Sequence, residues 1–265
     1  MNTDNNIYTI VYTTIVVVLV AAVLALVSQK LGPMQVANEK AETISQILTA
    51  AGFGDKNHWQ EQGNAATLKF YRENIESSDL YDTTGGYVGA LDFSRCEIYS
   101  TSELKAQDYA IRGKGGMPVL PVYRFSNGKV VIPVYGAGLW GPIWGYIALE
   151  EDLRTIAGAY FDHASETPGL GGKIKDDPAF RGQFAGRSID FTDKSAPFHI
   201  VKGGAPEGKA NAIDAITGAT MTSRGLDAAI TTWLNAYGKS LEVKEAPADS
   251  ASVSNTTEEE QLWEN

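Results

Sequence analysis

Three threonines fall within six residues in Asp214-Ala215-Ile216-Thr217-Gly218-Ala219-Thr220-Met221-Thr222-Ser223. Their hydroxyls can hydrogen-bond an anion, and a hydroxyl is also a site for covalent modification. Directly afterwards Leu226, Ala229, Ile230, Trp233, Leu234 and Tyr237 recur at helical spacing and form one apolar stripe. Thr217, Thr220 and Thr222 therefore crowd the start of a helix, with Thr222 or Ser223 expected as its N-cap. Such a terminus carries unpaired N–H groups and the positive end of the helix dipole, so it suits an anion. Gly218 and Ala219 leave room for a bulky group to approach the backbone. On these residues alone, plain helix capping and anion binding both remain open.

Two other segments have the composition of a ligand site. Gly138-Leu139-Trp140-Gly141-Pro142-Ile143-Trp144-Gly145-Tyr146 suggests a tight loop with aromatic walls entering a strand. The walls could be ordinary core, or Trp140 and Trp144 could flank a planar ligand. His163-Ala164-Ser165-Glu166-Thr167-Pro168-Gly169-Leu170-Gly171-Gly172-Lys173 is a Gly- and Pro-rich loop. Metal chemistry finds little support, because His58, His163 and His199 are far apart and Cys96 is the only cysteine. No internal disulfide is possible, and Cys96 reads as a small buried residue. Net charge is −10, but the last 25 residues hold seven acids against Lys244 alone, which accounts for −6. No basic patch suggests nucleic acid.

The elements that must position these segments begin with Ile7 to Val27, uncharged and mostly aliphatic. Twenty-one helical residues span about 31 Å, the thickness of the bilayer hydrocarbon. With no Lys or Arg before it, this reads as a retained transmembrane helix rather than a signal peptide. Asp4 on one side and Lys30, Glu39 and Lys40 on the other give almost no preference for orientation, with a slight lean to a cytoplasmic C-terminal side. Ala37, Ala41, Ile44, Leu48 and Ala51 mark an amphipathic helix that Gly52 can close. Runs at 117–125 and 130–135 flank Ser126-Asn127-Gly128-Lys129 as a hairpin, and 81–90 contains a Gly85-Gly86 turn. Asp55 to Leu80 carries few signals. Ile156–His163 and Phe198–Lys202 read as strands, with Phe180, Phe184 and Phe191 in a polar context between them. After Ser240 the composition is that of a disordered acidic tail, in which Leu262 and Trp263 are the bulky residues near its end. The expected organisation is an N-terminal tail 1–6, a transmembrane helix 7–27, one domain 30–240 and a tail 241–265. The expected fold is α+β, mostly antiparallel strands with helices packed on one side.

Thr217-Gly218-Ala219-Thr220-Met221-Thr222-Ser223 resembles the sequence at which membrane-anchored flavoproteins carry FMN covalently. With the Leu-Trp-Gly-Pro segment and the Glu166-Thr167-Pro168-Gly169-Leu170-Gly171 loop, in that order, the chain resembles the NqrC family, a flavin-bearing component of the sodium-translocating NADH:quinone oxidoreductase. The likeness covers nearly everything but the acidic tail. The related flavin-bearing component of the Rnf electron-transport complex shares the loop and the flavin sequence and is the alternative; a non-covalent flavin module is another. The resemblance implies that a flavin transferase joins the FMN phosphate to Thr220 as a phosphoester. It implies that Thr217, Gly218, Ala219 and Thr222 hold the phosphate, and that Glu166, Thr167, Gly169 and Leu170, with Trp140 and Trp144, line the flavin. It implies single-electron transfer between an iron–sulfur centre and a flavin of neighbouring subunits. Because the transferase acts outside the cytoplasm, it also implies a single-pass inner-membrane protein with a periplasmic domain. One departure is Asn211, where many relatives have His three residues before the motif's Asp.

Overall fold

The computed structural model describes residues 6–193 and 195–242, so the acidic tail lies outside the described residues from position 243 onward. The apolar stretch and the amphipathic stretch belong to one helix, α1 (Asn6–Ala50), which continues through Pro33. Among the described residues it is the one helix long and apolar enough to cross a membrane. Its apolar part is exposed, whereas Ala41, Ile44, Ile47, Leu48 and Ala51 are buried against the domain. Gly52 ends it with φ 82°. There the Gly52 N–H donates to Thr49 O and the Phe53 N–H to Leu48 O, both carbonyls that the last turn would leave free.

Helices α2 (Lys56–Gln62) and α3 (Asn64–Asn74) follow, then strands β1 (Ile75–Tyr81) and β2 (Tyr87–Ala90). Helix α4 (Thr101–Ile111) precedes β3 (Leu120–Phe125), β4 (Val130–Ala137), β5 (Pro142–Leu149) and β6 (Ile156–His163). Short helices α5 (Lys173–Asp176) and α6 (Pro178–Gly182), a strand pair β7 (His199–Val201) and β8 (Ala212–Asp214), and the long α7 (Thr220–Glu242) complete the chain. The main sheet is antiparallel with order β2-β1-β3-β4-β5-β6, and β7 and β8 form a separate parallel pair.

Helices cover both faces of the sheet, not one as expected. Tyr123, Phe125, Tyr146, Ala148 and Tyr160 face α1 and α3. Leu120, Val122, Ile132, Ile147 and Phe161 pack with Leu104 of α4 and with Leu226, Ile230 and Trp233 of α7. Burial on both faces explains why Val130–Tyr135 is apolar without alternation. Phe180 and Phe184, read from sequence as lying in a polar context, are buried in this second core, where Phe184 meets Phe161 and Phe198.

Helix α7 is held where β3 and β4 part. Those strands pair only at Tyr123↔Val131 and Arg124↔Val130. Beyond that point Trp233 Nε1 donates to the Tyr135 carbonyl (2.9 Å) and the Tyr237 hydroxyl to the Pro121 carbonyl (2.6 Å). Both acceptors are buried main-chain groups that would otherwise lack a partner. A Cβ on Gly225 would collide with the Ala137 carbonyl oxygen, and one on Gly136 would lie 2.6 Å from the Ala229 Cβ. Glycine at both positions lets the first turns of α7 lie directly on the end of β4.

Candidate functional site

The three sequence segments meet at one end of the sheet, and Glu166 joins them. The β4–β5 turn closes with the Gly138 N–H donating to Gly141 O (2.8 Å). Glu166 Oε1 accepts from the Trp140 N–H (2.9 Å) and Oε2 from the Thr222 hydroxyl (2.6 Å). Glu166 is 4% exposed, so these charge-assisted bonds form away from water. Gly138 and Gly171 make the space: a Cβ on either would strike the Glu166 carboxylate, and on Gly171 it would also come within 2.5 Å of Thr222 Oγ1. The Ser165 hydroxyl donates to the Trp140 carbonyl (3.0 Å), so both main-chain groups of Trp140 are held by the loop. Held in this way, Trp140 is 67% exposed.

The expected N-cap role of Thr222 or Ser223 is overturned. The Ser223 N–H donates to Ala219 O (2.9 Å), which makes Ala219 the residue at the cap position. Thr222 and Ser223 lie within the first turn of α7 and face inward: Thr222 donates to Glu166, and Ser223 Oγ accepts from the Ile216 N–H (3.1 Å). Alanine cannot cap. Among the described residues no acceptor meets the N–H groups of Thr220, Met221 and Thr222. This turn can therefore hold an anion at its positive end.

Thr220 is half-buried beside that turn, and Thr217 and Gly218 are exposed. Gly218 has φ 82°, and a Cβ there would come within 3.1 Å of Leu170 Cδ2, so the leucine lies over the glycine. Thr167 and Gly169 are exposed on the same loop, whose turn closes with Leu170 N–H and Gly172 N–H donating to Thr167 O. Leu139, Trp140, Leu170 and Met221 add exposed apolar surface. An aromatic ring system fits such a rim, and a phosphate fits the bare helix turn. The donor set therefore suits FMN.

Trp144 does not join this group. It lies on the α1 face of β5, where its Nε1 donates to Gln46 Oε1 (3.2 Å). Asn211 is also apart: its side-chain amide donates to Asp193 Oδ2 and the Pro197 carbonyl, so it ties the loop before β7. Leu139, Met221 and the glycines Gly136, Gly138, Gly171 and Gly225 contribute to the site without having been singled out in the sequence. The glycines' signal was small size in segments that must come close; Leu139 and Met221 carried no signal beyond their place inside two of the three segments.

The FMN-binding domain family profile matches residues 138–235, which contain all three segments. NqrC of Vibrio parahaemolyticus, a component of its Na(+)-translocating NADH-quinone reductase, is 30% identical over 223 residues, 77% of this chain and 81% of that protein. Its Vibrio campbellii counterpart is 40% identical over 121 residues, 44% of this chain and 46% of that protein. The crystal structure of the same component from Parabacteroides distasonis superposes with TM-score 0.65 at 29% identity, covering 80% of this chain and 97% of that one. NqrC of Shewanella oneidensis gives TM-score 0.58 at 28% identity, covering 77% and 97%. The fold, the order of its motifs and these likenesses agree: the chain belongs to the NqrC family of Na(+)-translocating NADH-quinone reductase subunits.

Proposed function

We propose that Thr220 carries FMN through a phosphoester bond, and that the chain relays single electrons between an iron–sulfur centre and a flavin of neighbouring subunits in a sodium-pumping NADH:quinone reductase. The observation that carries this is the bare first turn of α7, with Thr220 half-buried beside it and Thr222 anchored to Glu166. When bound, the flavin supplies the one-electron redox chemistry. The N–H groups of Thr220, Met221 and Thr222 stabilise the phosphodiester charge. Thr217 offers a further hydroxyl, and Gly218 and Ala219 keep the approach clear. Leu170 and Trp140 cover the ring system, while Thr167 and Gly169 shape the loop beside it. Thr220 is the attachment point and does no acid or base work. The names of the relatives favour this complex over an Rnf-type one.

The domain stands on the periplasmic side of the bacterial inner membrane, anchored by the apolar part of α1. That side gives a maturing flavin transferase access to Thr220. The test is Thr220→Val in the assembled complex. The variant chain should fold and assemble, show no flavin fluorescence after denaturing electrophoresis, and leave the complex unable to reduce quinone. A fluorescent band retained in Thr220→Val contradicts the attachment site. Wild-type protein that is yellow when native but leaves all its flavin in the supernatant after acid precipitation would indicate a non-covalent flavin module instead.

A further inference from the structure

We propose that Gln46 and Asp162 are positioning residues through which α1 fixes the loop and helix turn that present Thr220; this rests on the reading of Thr220 as the FMN site. The apolar packing of α1 on the sheet, through Ile44, Ile47 and Leu48, does not by itself set its position along the strands. One polar tie does. Gln46 is 5% exposed and uses both ends of its amide. Its Nε2 donates to Asp162 Oδ2 (2.8 Å), and its Oε1 accepts from Trp144 Nε1 (3.2 Å).

Asp162, 2% exposed near the end of β6, also receives Lys175 Nζ (2.7 Å to Oδ1) and the His163 N–H (2.7 Å). The next link is His163 Nδ1, which accepts from the Glu166 N–H (3.1 Å), so the ring proton belongs on Nε2. Glu166 then accepts from Trp140 and Thr222. A continuous hydrogen-bonded path thus runs from α1 through β6 and the 163–172 loop to the first turn of α7.

The Asp162–Lys175 pair, buried only on its Asp162 side, adds little net stability over apolar packing; its part here is to hold Asp162 in place for Gln46. It stands at the end of the sheet from which the flavin loop emerges. Since α1 is one helix with the candidate membrane span, the tie refers the position of the loop to the membrane anchor.

The test uses the full chain made without a flavin transferase, in the Gln46→Leu, Asp162→Asn and Trp144→Phe forms. Amide hydrogen exchange should accelerate about tenfold or more in residues 163–172 and at the hydrogen-bonded N–H groups of Ile216, Ala219 and Ser223 in the first two, and to a smaller extent in Trp144→Phe, with β1 and β3 unchanged. Made with the transferase, all three should gain the same mass as wild type, with an altered visible circular dichroism of the flavin. Wild-type exchange in both segments overturns the proposal, and so does an acceleration spread evenly over the domain. Should Gln46→Leu or Asp162→Asn fail to fold, Trp144→Phe decides, because Trp144 is only half-buried and the change removes one donor while keeping an aromatic ring in place. Absence of any mass gain in wild type would sink the FMN reading and leave the exchange result standing.

Discussion

Trp140 and Trp144 are four residues apart in one hairpin, and they belong to two differently built regions. Around Trp140, glycines and main-chain hydrogen bonds fix the backbone, and the side chains are left facing solvent. Around Trp144, large side chains are buried against α1 and α3, and position is set by packing and side-chain hydrogen bonds. The difference teaches where each region is vulnerable. The first tolerates changes to outward side chains but not an added Cβ at its glycines. The second tolerates loss of an unpaired polar atom but not loss of volume.

The largest effect should come from Gly225→Val, which drives a side chain into the Ala137 carbonyl. A loss of about 3 kcal/mol is expected, read from the urea midpoint, together with lower FMN incorporation. Glu166→Gln comes next. The amide oxygen keeps the Trp140 N–H, but its NH2 can meet the Thr222 hydroxyl only by reversing that bond and giving up the charge assistance, at about 1 kcal/mol. Unfolding curves of the variant would check this, and an unchanged midpoint would remove Glu166 from its place at the centre of the site.

Two fully buried tyrosines sharpen the comparison. Tyr237 donates to the Pro121 carbonyl, whereas among the described residues the Tyr71 hydroxyl meets no partner in good hydrogen-bond geometry, its polar neighbour being Ser78. Tyr237→Phe should cost about 1–2 kcal/mol, and Tyr71→Phe should be neutral or stabilising. Equal losses in the two would show that packing alone governs both.

The smallest effect concerns Asp227 of α7. Burial raises its pKa above the usual carboxylate value, against the lowering effect of the hydrogen bond from the Ile200 N–H. A raised folded value means that the folded state prefers the protonated form. Stability from this group is therefore full below the unfolded pKa and falls as pH rises through the folded one. Asp227→Asn should thus stabilise slightly at neutral pH, by less than about 1 kcal/mol after solvent screening. The gain should vanish below about pH 3.9, where the aspartate is neutral in both states.

Much of this was legible in the chain. The 3.6-residue stripe gave α7, the Ser126–Lys129 turn gave the β3–β4 hairpin, and Gly52 gave the end of α1. Two other signals were present but easily passed over. Ser100 and Glu103 form a capping box that announces α4. The unbroken apolar run Val130–Tyr135 announces a strand buried on both faces. What could not be read were contacts between distant residues. Glu166 meets Trp140 and Thr222, which lie 26 and 56 residues away, and no local pattern encodes such pairs. Trp144 misled for a related reason: alternation along β5 turns it to the face opposite Ile143 and Ile147, and only the sheet's surroundings say which face meets the ligand.

The most direct test of the central claim is an intact-mass spectrum of the full chain, exported from cells with and without a flavin transferase. The mass should rise by FMN minus water, only with the transferase present, and the gain should disappear in Thr220→Ala. A gain that survives Thr220→Ala, or no gain at all in a folded and exported chain, would contradict that claim.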